Sequence, residues 1–332
     1  MQGYTKAGAM RIALATYSLA PELTEDDRQL LEPLARRGIH AEPVAWDAPG
    51  VDWTAYDAVI IRSCWDYYLR RDEFLGWVEK LEATGTPLWN PPAVVRWNSD
   101  KSYLRDLDAA GVAVVPTRWV APGEPAPLAE LLEETGWDEA VVKPVVSAAA
   151  HETWRTSRAR AAEDEPRFRA LASRQRVMIQ PFLPEIVTAG ECSLFFFGGE
   201  FSHAVVKRPR EGDFRVQIEH GGNAVAVEPD DALLAAARAA LRCIPGDWLY
   251  ARVDGCTVDG TFRIMELEAL EPALFLAWAP GAADRFAQAV EATLAVGKVW
   301  SSPTTPPLSA PTWSESRSQW GEAGGEGAKA MG

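Results

Sequence analysis

The stretch WLYARVDGCTVDGTFRIMELEALEP, Trp248 to Pro272, holds two runs of two-residue hydrophobic period around the turn signal Asp259-Gly260. Leu249, Ala251 and Val253 alternate with Tyr250, Arg252 and Asp254 in the first run. In the second, Met265, Leu267 and Ala269 alternate with Ile264, Glu266 and Glu268. Side chains on a strand change face at every residue, so the odd positions of both runs form the apolar face. For those faces to coincide across a hairpin, paired residue numbers must have an even sum. A tight two-residue turn at Asp259-Gly260 would pair 258 with 261 and set Asp254 and Glu266 on opposite faces. The pattern therefore predicts a three-residue loop, Val258 to Gly260, with Gly260 left-handed in a bulge. Asp254 then lies near Ile264 and diagonal to Glu266, with Glu268 one step along and Arg252 beside them.

Carboxylates gathered in this way raise one another's pKa, and burial adds a desolvation cost. A hard divalent cation removes the repulsion. Oxygen ligands without His or Cys suit Mg²⁺, which takes one or two carboxylates together with the phosphates of a nucleotide. The plain alternative is a solvated acidic face, common on half-buried sheets.

Outward from the hairpin, the N-terminal third alternates strand and helix patterns. RIALATY reads as a strand, TEDDRQLLEPLARRG as a helix capped by Thr24 and stopped by Gly38, and HAEPVAW and YDAVIIRS as strands. RDEFLGWVEKLEATG follows as a helix capped by Asp72. Such alternation predicts a parallel sheet with helices on its faces. NSDKSYLRDLDAAG reads as one helix capped at Asn98 or Ser99, and APGEPAP as a break between lobes. EAVVKPVV, RVMIQPFL and the pair ECSLFFF and EFSHAVVKR, joined at Gly198-Gly199, read as further strands. The final segment is rich in Pro, Ser and Gly without periodicity, so residues 300–332 are expected to be a disordered tail.

Composition excludes several classes. The net charge of −14 repels nucleic-acid backbones, and the basic residues form no patch. Cys64, Cys192, Cys243 and Cys256 make no CxxC pair, and His40, His151, His203 and His220 lack metal-ligand spacing. No apolar run is long enough for a membrane span, and the first ten residues do not resemble a signal peptide, so a cytoplasmic protein is expected. Neither GxGxxG nor GxxxxGK[ST] occurs.

In order along the chain stand NSDKSYL, VVKPVVS, MIQPFLPEI, GECSLFF, KRPREGDFRVQIEHGG, ARVDG and MELEALEP. This series resembles the ATP-grasp superfamily of carboxylate-amine ligases, in its glutathione synthetase and ribosomal-protein-modifying branch, and most of all the family that includes D-cycloserine synthetase. The resemblance extends from about Met10 to Val299. It implies an α+β ATP-grasp fold, in which an open parallel α/β domain precedes two α+β lobes that clasp ATP. The expected boundaries are 10–97 for the first domain, 98–116 with 186–299 for the large lobe and its metal site, and 117–185 for the small lobe.

The same resemblance implies roles for single residues. Lys101 and Lys143 look like the lysines that reach the nucleotide phosphates, with Ser147 as a further donor in the SAAAHET loop. That loop departs from the glycine-rich loops of many relatives. Gln180, Pro181, Phe182 and Leu183 look like the strand that reads the adenine edge, and Glu191 is placed for the ribose hydroxyls. Arg215, with Lys207 and Arg252, would stabilise charge on the transferred phosphoryl group, a task for which a planar guanidinium is suited. Asp254, Glu266 and Glu268 would hold Mg²⁺, two ions in the family, with Mn²⁺ able to substitute. Glu268 stands where the family pattern has Asn, which adds a negative charge.

Substrate contacts follow from position at the end of a parallel strand, where open α/β sheets bind ligands. Arg62, Ser63 and Asp66 are assigned to amino-acid groups of the substrate, Trp65 and Tyr67 to the pocket wall, and His220, Gly221, Gly222 and Glu271 to the surroundings of the reacting carboxyl. The implied activity is ATP-dependent amide formation through an acyl phosphate on a small amino-acid-like substrate. If the resemblance is followed closely, it is a ring closure of O-ureido-D-serine. A ligase that modifies a protein or peptide and a non-catalytic nucleotide binder are the alternatives. Homodimers are usual among the relatives.

Overall fold

The computed structural model describes residues 10–124 and 126–295; the predicted tail lies outside them. Thirteen strands in the described residues form three sheets. The first is parallel, in the order β2-β1-β3-β4, from β1 (Met10–Thr16), β2 (Ile39–Ala45), β3 (Ala58–Ile61) and β4 (Leu88–Trp89). Pro43 is tolerated in β2 because that strand is an edge. A second sheet runs β5-β8-β6-β7, from β5 (Arg118–Val120), β6 (Glu139–Pro144), β7 (Trp154–Ser157) and β8 (Val177–Pro181). The third runs β11-β10-β9-β12-β13, from β9 (Glu191–Phe197), β10 (Glu200–Arg208), β11 (Asn223–Val227), β12 (Tyr250–Val258) and β13 (Thr261–Glu268). No helix among the described residues is long and apolar enough to cross a membrane.

The acidic hairpin differs from expectation in its turn and agrees in its consequence. Val258 pairs with Thr261, so the connection is the two-residue turn, with Asp259 and Gly260 both left-handed at φ 48° and 73°. The register then slips by one residue between Asp254 and Gly255, where Met265 is the extra residue of a bulge. Beyond it Asp254 is directly opposite Glu266, and Arg252 opposite Glu268. The bulge exchanges the roles of two neighbours: Ile264 enters the core, while Met265 turns to the other face. It is held on its outer side by Ala113–Val115, since Ile264 N–H donates to Ala113 O (2.8 Å) and Val115 N–H to Ile264 O (3.0 Å). Gly255 is required opposite it, because a Cβ there would come within 2.6 Å of both Arg263 O and the Phe262 ring.

Three helix expectations are also corrected. The segment after Thr24 breaks into Glu25–Arg28 and Leu31–Arg36, with Pro33 in the first turn of the second, where its missing N–H costs no intrahelical bond. Helix Arg71–Thr84 begins without a side-chain cap, so Asp72 is inside it. The helix expected from a cap at Asn98 or Ser99 begins later, as Tyr103–Ala109, and a separate, unexpected helix, Pro92–Asn98, precedes it. Asn98 ends that preceding helix and pins β13, donating to Leu267 O (2.7 Å) and accepting from Ala269 N–H (2.6 Å). Lys101 lies in the break, next to the third sheet.

Asn90 joins the first sheet to the third. Its side chain donates to Tyr250 O and Ala269 O (2.7 Å each) and accepts from Leu249 N–H (2.5 Å). Nearby in the core, His203 stacks on Phe195 with ring centroids 4.3 Å apart and lies 2.9 Å from Leu274 O, to which its neutral ring donates. Burial lowers its pKa to about 4, against the pull of the Leu274 carbonyl and with help from Arg285. In the unfolded chain the same ring protonates near 6.5, so between these values the unfolded state binds the extra proton. Stability should therefore fall as pH drops from 6.5 to 4, by at most about 3 kcal/mol. Urea midpoints measured across that range test this, and His203→Gln is expected to flatten that part of the slope.

Candidate active site

A cavity of about 390 Å³ opens along one face of β12 and β13, bounded also by residues of the first two sheets and their loops. Its central side chains are ionic. Asp254, 1% exposed, accepts from Arg252 Nε (2.9 Å), Lys207 Nζ (3.2 Å) and Ser193 Oγ. Arg252 also reaches Glu268 (2.5 Å), Lys207 reaches Glu191 (2.5 Å), and Lys101 pairs with Glu266 (2.9 Å) while donating to Ser147 O (2.5 Å). Each carboxylate in this group has a cation beside it. The Lys143 side chain makes no ion pair or hydrogen bond among the described residues, and it lines the cavity within reach of the charges of Glu266, Lys101 and Glu191.

Electrostatics follow from this packing. Burial raises the Asp254 carboxyl, but Arg252 and Lys207 outweigh it and hold the pKa below the usual range. Glu266 is lowered in the same way by Lys101 and Lys143. Glu268 has Arg252 alone in direct contact, and burial, with Glu266 and Asp254 adding, pushes it up to about 7. Glu271 is raised further, by burial and then by Glu268. Burial lowers Lys143, and the positive charge of Lys101 adds to that.

One oxygen from each of Asp254, Glu266 and Glu268 lies within 4.8 Å of the others. An all-oxygen set of this size fits Mg²⁺ better than Zn²⁺, which favours His and Cys. Along the same cavity Phe182, Leu183, Ile186, Val216 and Met265 make an apolar slot. Met265 reaches it because of the bulge, which no alternation of residue types announces.

The structure brings together most of the residues singled out from the sequence. Lys101, Lys143, Ser147, Gln180, Pro181, Phe182, Leu183, Glu191, Lys207, Arg215, Arg252, Glu266, Glu268 and Glu271 line the cavity, with Asp254 buried directly behind. Several are already engaged. Ser147 Oγ donates to Pro144 O (3.3 Å), Gln180 to Thr117 Oγ1 (2.8 Å), and Phe182 N–H to Glu139 O (3.0 Å), so that N–H is not free to read a base. Arg215 is held at the cavity wall by a two-pronged pair with Asp213 (3.1 and 2.8 Å).

The substrate assignments need correction. Arg62 is fully buried, bonded to Asp27 (3.0 Å) and to Pro272 O (2.7 Å), with Tyr250 5.0 Å from its guanidinium. Ser63 is equally buried and donates to the other Asp27 oxygen. Asp66 is taken by Trp46 Nε1 (2.9 Å) and Arg70. All three are engaged by other groups of the protein, and none lines the cavity. His220, Gly221 and Gly222 do not line the cavity: His220 Nε2 stands 3.4 Å from Ala149 O, and a Cβ on Gly222 would sit 2.2 Å from Val216 O. They shape a loop. Trp65 and Tyr67 do line the cavity, Trp65 donating to Glu271 O (3.0 Å).

Other lining residues gave no local signal. Tyr103 receives Leu267 N–H on its hydroxyl (3.0 Å), and Asp26, Phe275 and Trp278 complete an aromatic end. Ser193 could have been found, since it is two residues from Glu191 on one face of β9 and opposite Asp254 in the register.

Comparison with known proteins gives a consistent answer. The family model for the N-terminal domain of D-cycloserine synthetase DcsG matches residues 12–90, and that for the ATP-grasp domain of prokaryotic glutathione synthetase matches 114–240. The cycloserine biosynthesis protein DcsG of Streptomyces lavendulae is 35% identical over 292 residues, 84% of this chain and 97% of its own. A crystal structure of D-cycloserine synthetase DcsG superposes with a TM-score of 0.78 at 32% identity, covering 86% of this chain and 99% of that one. The D-alanine–D-alanine ligase from Bacillus anthracis complexed with ATP shares the fold, with a TM-score of 0.63 at 17% identity over 87% of this chain and 98% of its own.

Proposed function

The chain belongs to the D-cycloserine synthetase family of ATP-grasp ligases, and from that premise we propose that it joins a carboxyl group to an amine of a small amino-acid-like substrate through an acyl phosphate. The observation that carries this reading is the convergence of Asp254, Glu266 and Glu268 with Lys101, Lys143, Lys207 and Arg252 in one cavity.

A free carboxylate is a poor electrophile because its leaving group would be oxide. Phosphorylation supplies a better one: a carboxylate oxygen attacks the γ-phosphorus of ATP, the bond to ADP breaks, and the acyl phosphate forms. The amine then attacks the carbonyl carbon, the bond to phosphate breaks, and the amine gives up a proton. Mg²⁺ bound by the three carboxylates would neutralise charge on the phosphates.

The chain's own part is positioning and charge. Lys101 and Lys207, now paired with carboxylates, are placed to turn to phosphate oxygens when the acids take the metal. Lys143 needs no such exchange, because it has no partner to leave. Arg252 keeps hold of Glu268, so the Glu in place of Asn at that position adds little net charge. Met265, Val216, Ile186 and Leu183 offer the flat apolar contact a purine needs, and Glu191 stands at the edge of that slot. No covalent enzyme nucleophile is required.

In the finer reading, carboxyl and amine belong to one molecule and the product is a ring, which the role of the Streptomyces relative in cycloserine biosynthesis supports. O-ureido-D-serine is the first acid to try. With heavy oxygen in its carboxylate, one labelled oxygen is expected in each phosphate released. Unlabelled phosphate would exclude the acyl phosphate.

A further inference from the structure

Glu271 follows β13 at the junction with the first sheet, where Trp65 Nε1 donates to its backbone carbonyl (3.0 Å). The residue is 7% exposed and lines the cavity, yet its carboxyl group makes no hydrogen bond or ion pair among the described residues. Neither carboxyl oxygen is sealed inside the protein, so the surface they keep opens on the cavity. The Tyr67 hydroxyl, which also lines the cavity, is likewise unpartnered and unsealed, and Glu271 is the charge that acts on it most. Leaving a buried carboxyl unbonded costs stability, so a fold that keeps one open to a cavity is suited to a ligand.

The other acids in and behind the cavity are engaged or exposed. Arg252 and Lys207 hold Asp254, Lys101 holds Glu266, Arg252 holds Glu268, Lys207 holds Glu191 and Leu276 N–H holds Asp26, while Glu219 is exposed. A cation against a carboxylate weakens it as a proton acceptor. Burial, and after it the charge of Glu268, strengthens Glu271 in that role. The ligation needs such a group, because forming the C–N bond leaves the nitrogen with a proton to lose. We propose that Glu271 is the general base of the amide-forming step, accepting the N–H of the attacking nitrogen. Its carboxylate takes that proton as the nitrogen lone pair bonds to the carbonyl carbon and the carbon–oxygen bond to phosphate breaks, the electron pair of that bond leaving with phosphate. The proton passes to water between turnovers. This inference rests on the ligase reading above and assigns the proton acceptor that the reading leaves open.

The test is a single turnover of the full chain with ATP, Mg²⁺ and O-ureido-D-serine, in which ADP formation and free phosphate are followed separately. Glu271→Gln keeps an acceptor for the N–H but cannot take its proton. It should form ADP at a rate within about two-fold of wild type and release phosphate on the order of 10²- to 10³-fold more slowly. It should also melt no lower than wild type, because the substitution breaks no hydrogen bond or ion pair. A purely structural role would slow both events together or lower the melting temperature. If Glu271→Gln slows ADP formation as much as phosphate release, releases phosphate at the wild-type rate, or melts well below wild type, the assignment is overturned and the ligase reading stands on the wild-type turnover. A wild-type chain that forms no ADP with this acid would overturn the ligase reading for it, and the role of Glu271 with it.

Discussion

Glu266→Ala is expected to lower acid-dependent ADP release by on the order of 10³-fold, about 4 kcal/mol of transition-state stabilisation. Glu266 is directly opposite Asp254 on the hairpin, and its carboxylate, with those of Asp254 and Glu268, is close enough for one ion to be shared. On the proposed reading its removal takes away a metal ligand, and it leaves Lys101 without the neighbour that, against burial, raises its pKa. The fold should survive. The Glu266 side chain is 27% exposed, and Lys101, which loses its ion pair, keeps its bond to Ser147 O and the nearby charges of Glu268 and Glu271. Thermal melting and a nucleotide-binding assay separate this outcome from a trivial loss of structure. A variant that melts like wild type and keeps its turnover would remove Glu266 from the machinery.

Arg62→Met should act in the opposite way, on stability and not on substrate affinity. The guanidinium is 0% exposed and neutralises Asp27, itself 2% exposed. Breaking a buried pair from one side leaves an uncompensated charge, at a cost of about 3–5 kcal/mol. Urea unfolding should show that loss, while KM values for ATP and for the acid, measured where the variant is folded, stay within about two-fold of wild type because Arg62 does not border the cavity. Arg62→Met combined with Asp27→Leu should recover much of the stability, since paired apolar replacements avoid the buried charge. A selective rise in KM for the acid would restore Arg62 to substrate binding.

These two residues also show where sequence reasoning succeeds and where it stops. The face shared by Asp254, Glu266 and Glu268 was legible because alternation along a strand reports side-chain direction, and burial of the opposite face fixes the register. The means by which the register is reached was not legible. A tight turn with a bulge at Met265 and a three-residue loop give the same parity to the acids; they differ in whether Glu266 or Ile264 stands opposite Asp254 and in which of Ile264 and Met265 meets the core. The late start of the helix, which leaves Lys101 outside it, was hidden for a similar reason: nothing in NSDKSYL announces that Asn98 ends a preceding helix and is engaged with β13. Arg62 was misread because the end of a parallel strand is the right region but does not specify direction. Trp65 turns to the cavity, while Arg62 turns to Asp27, 35 positions away in the chain. Asp26 is the extreme case, as the contacts that define it come from 250 residues downstream.

The ligase assignment is tested most directly by ADP and phosphate release from ATP and Mg²⁺ against a panel of amino acids and dipeptides that includes O-ureido-D-serine. The account predicts release that requires one panel acid and disappears in Glu266→Ala. ADP release at the same rate without any acid, or a wild-type chain that fails to bind ATP, would contradict it.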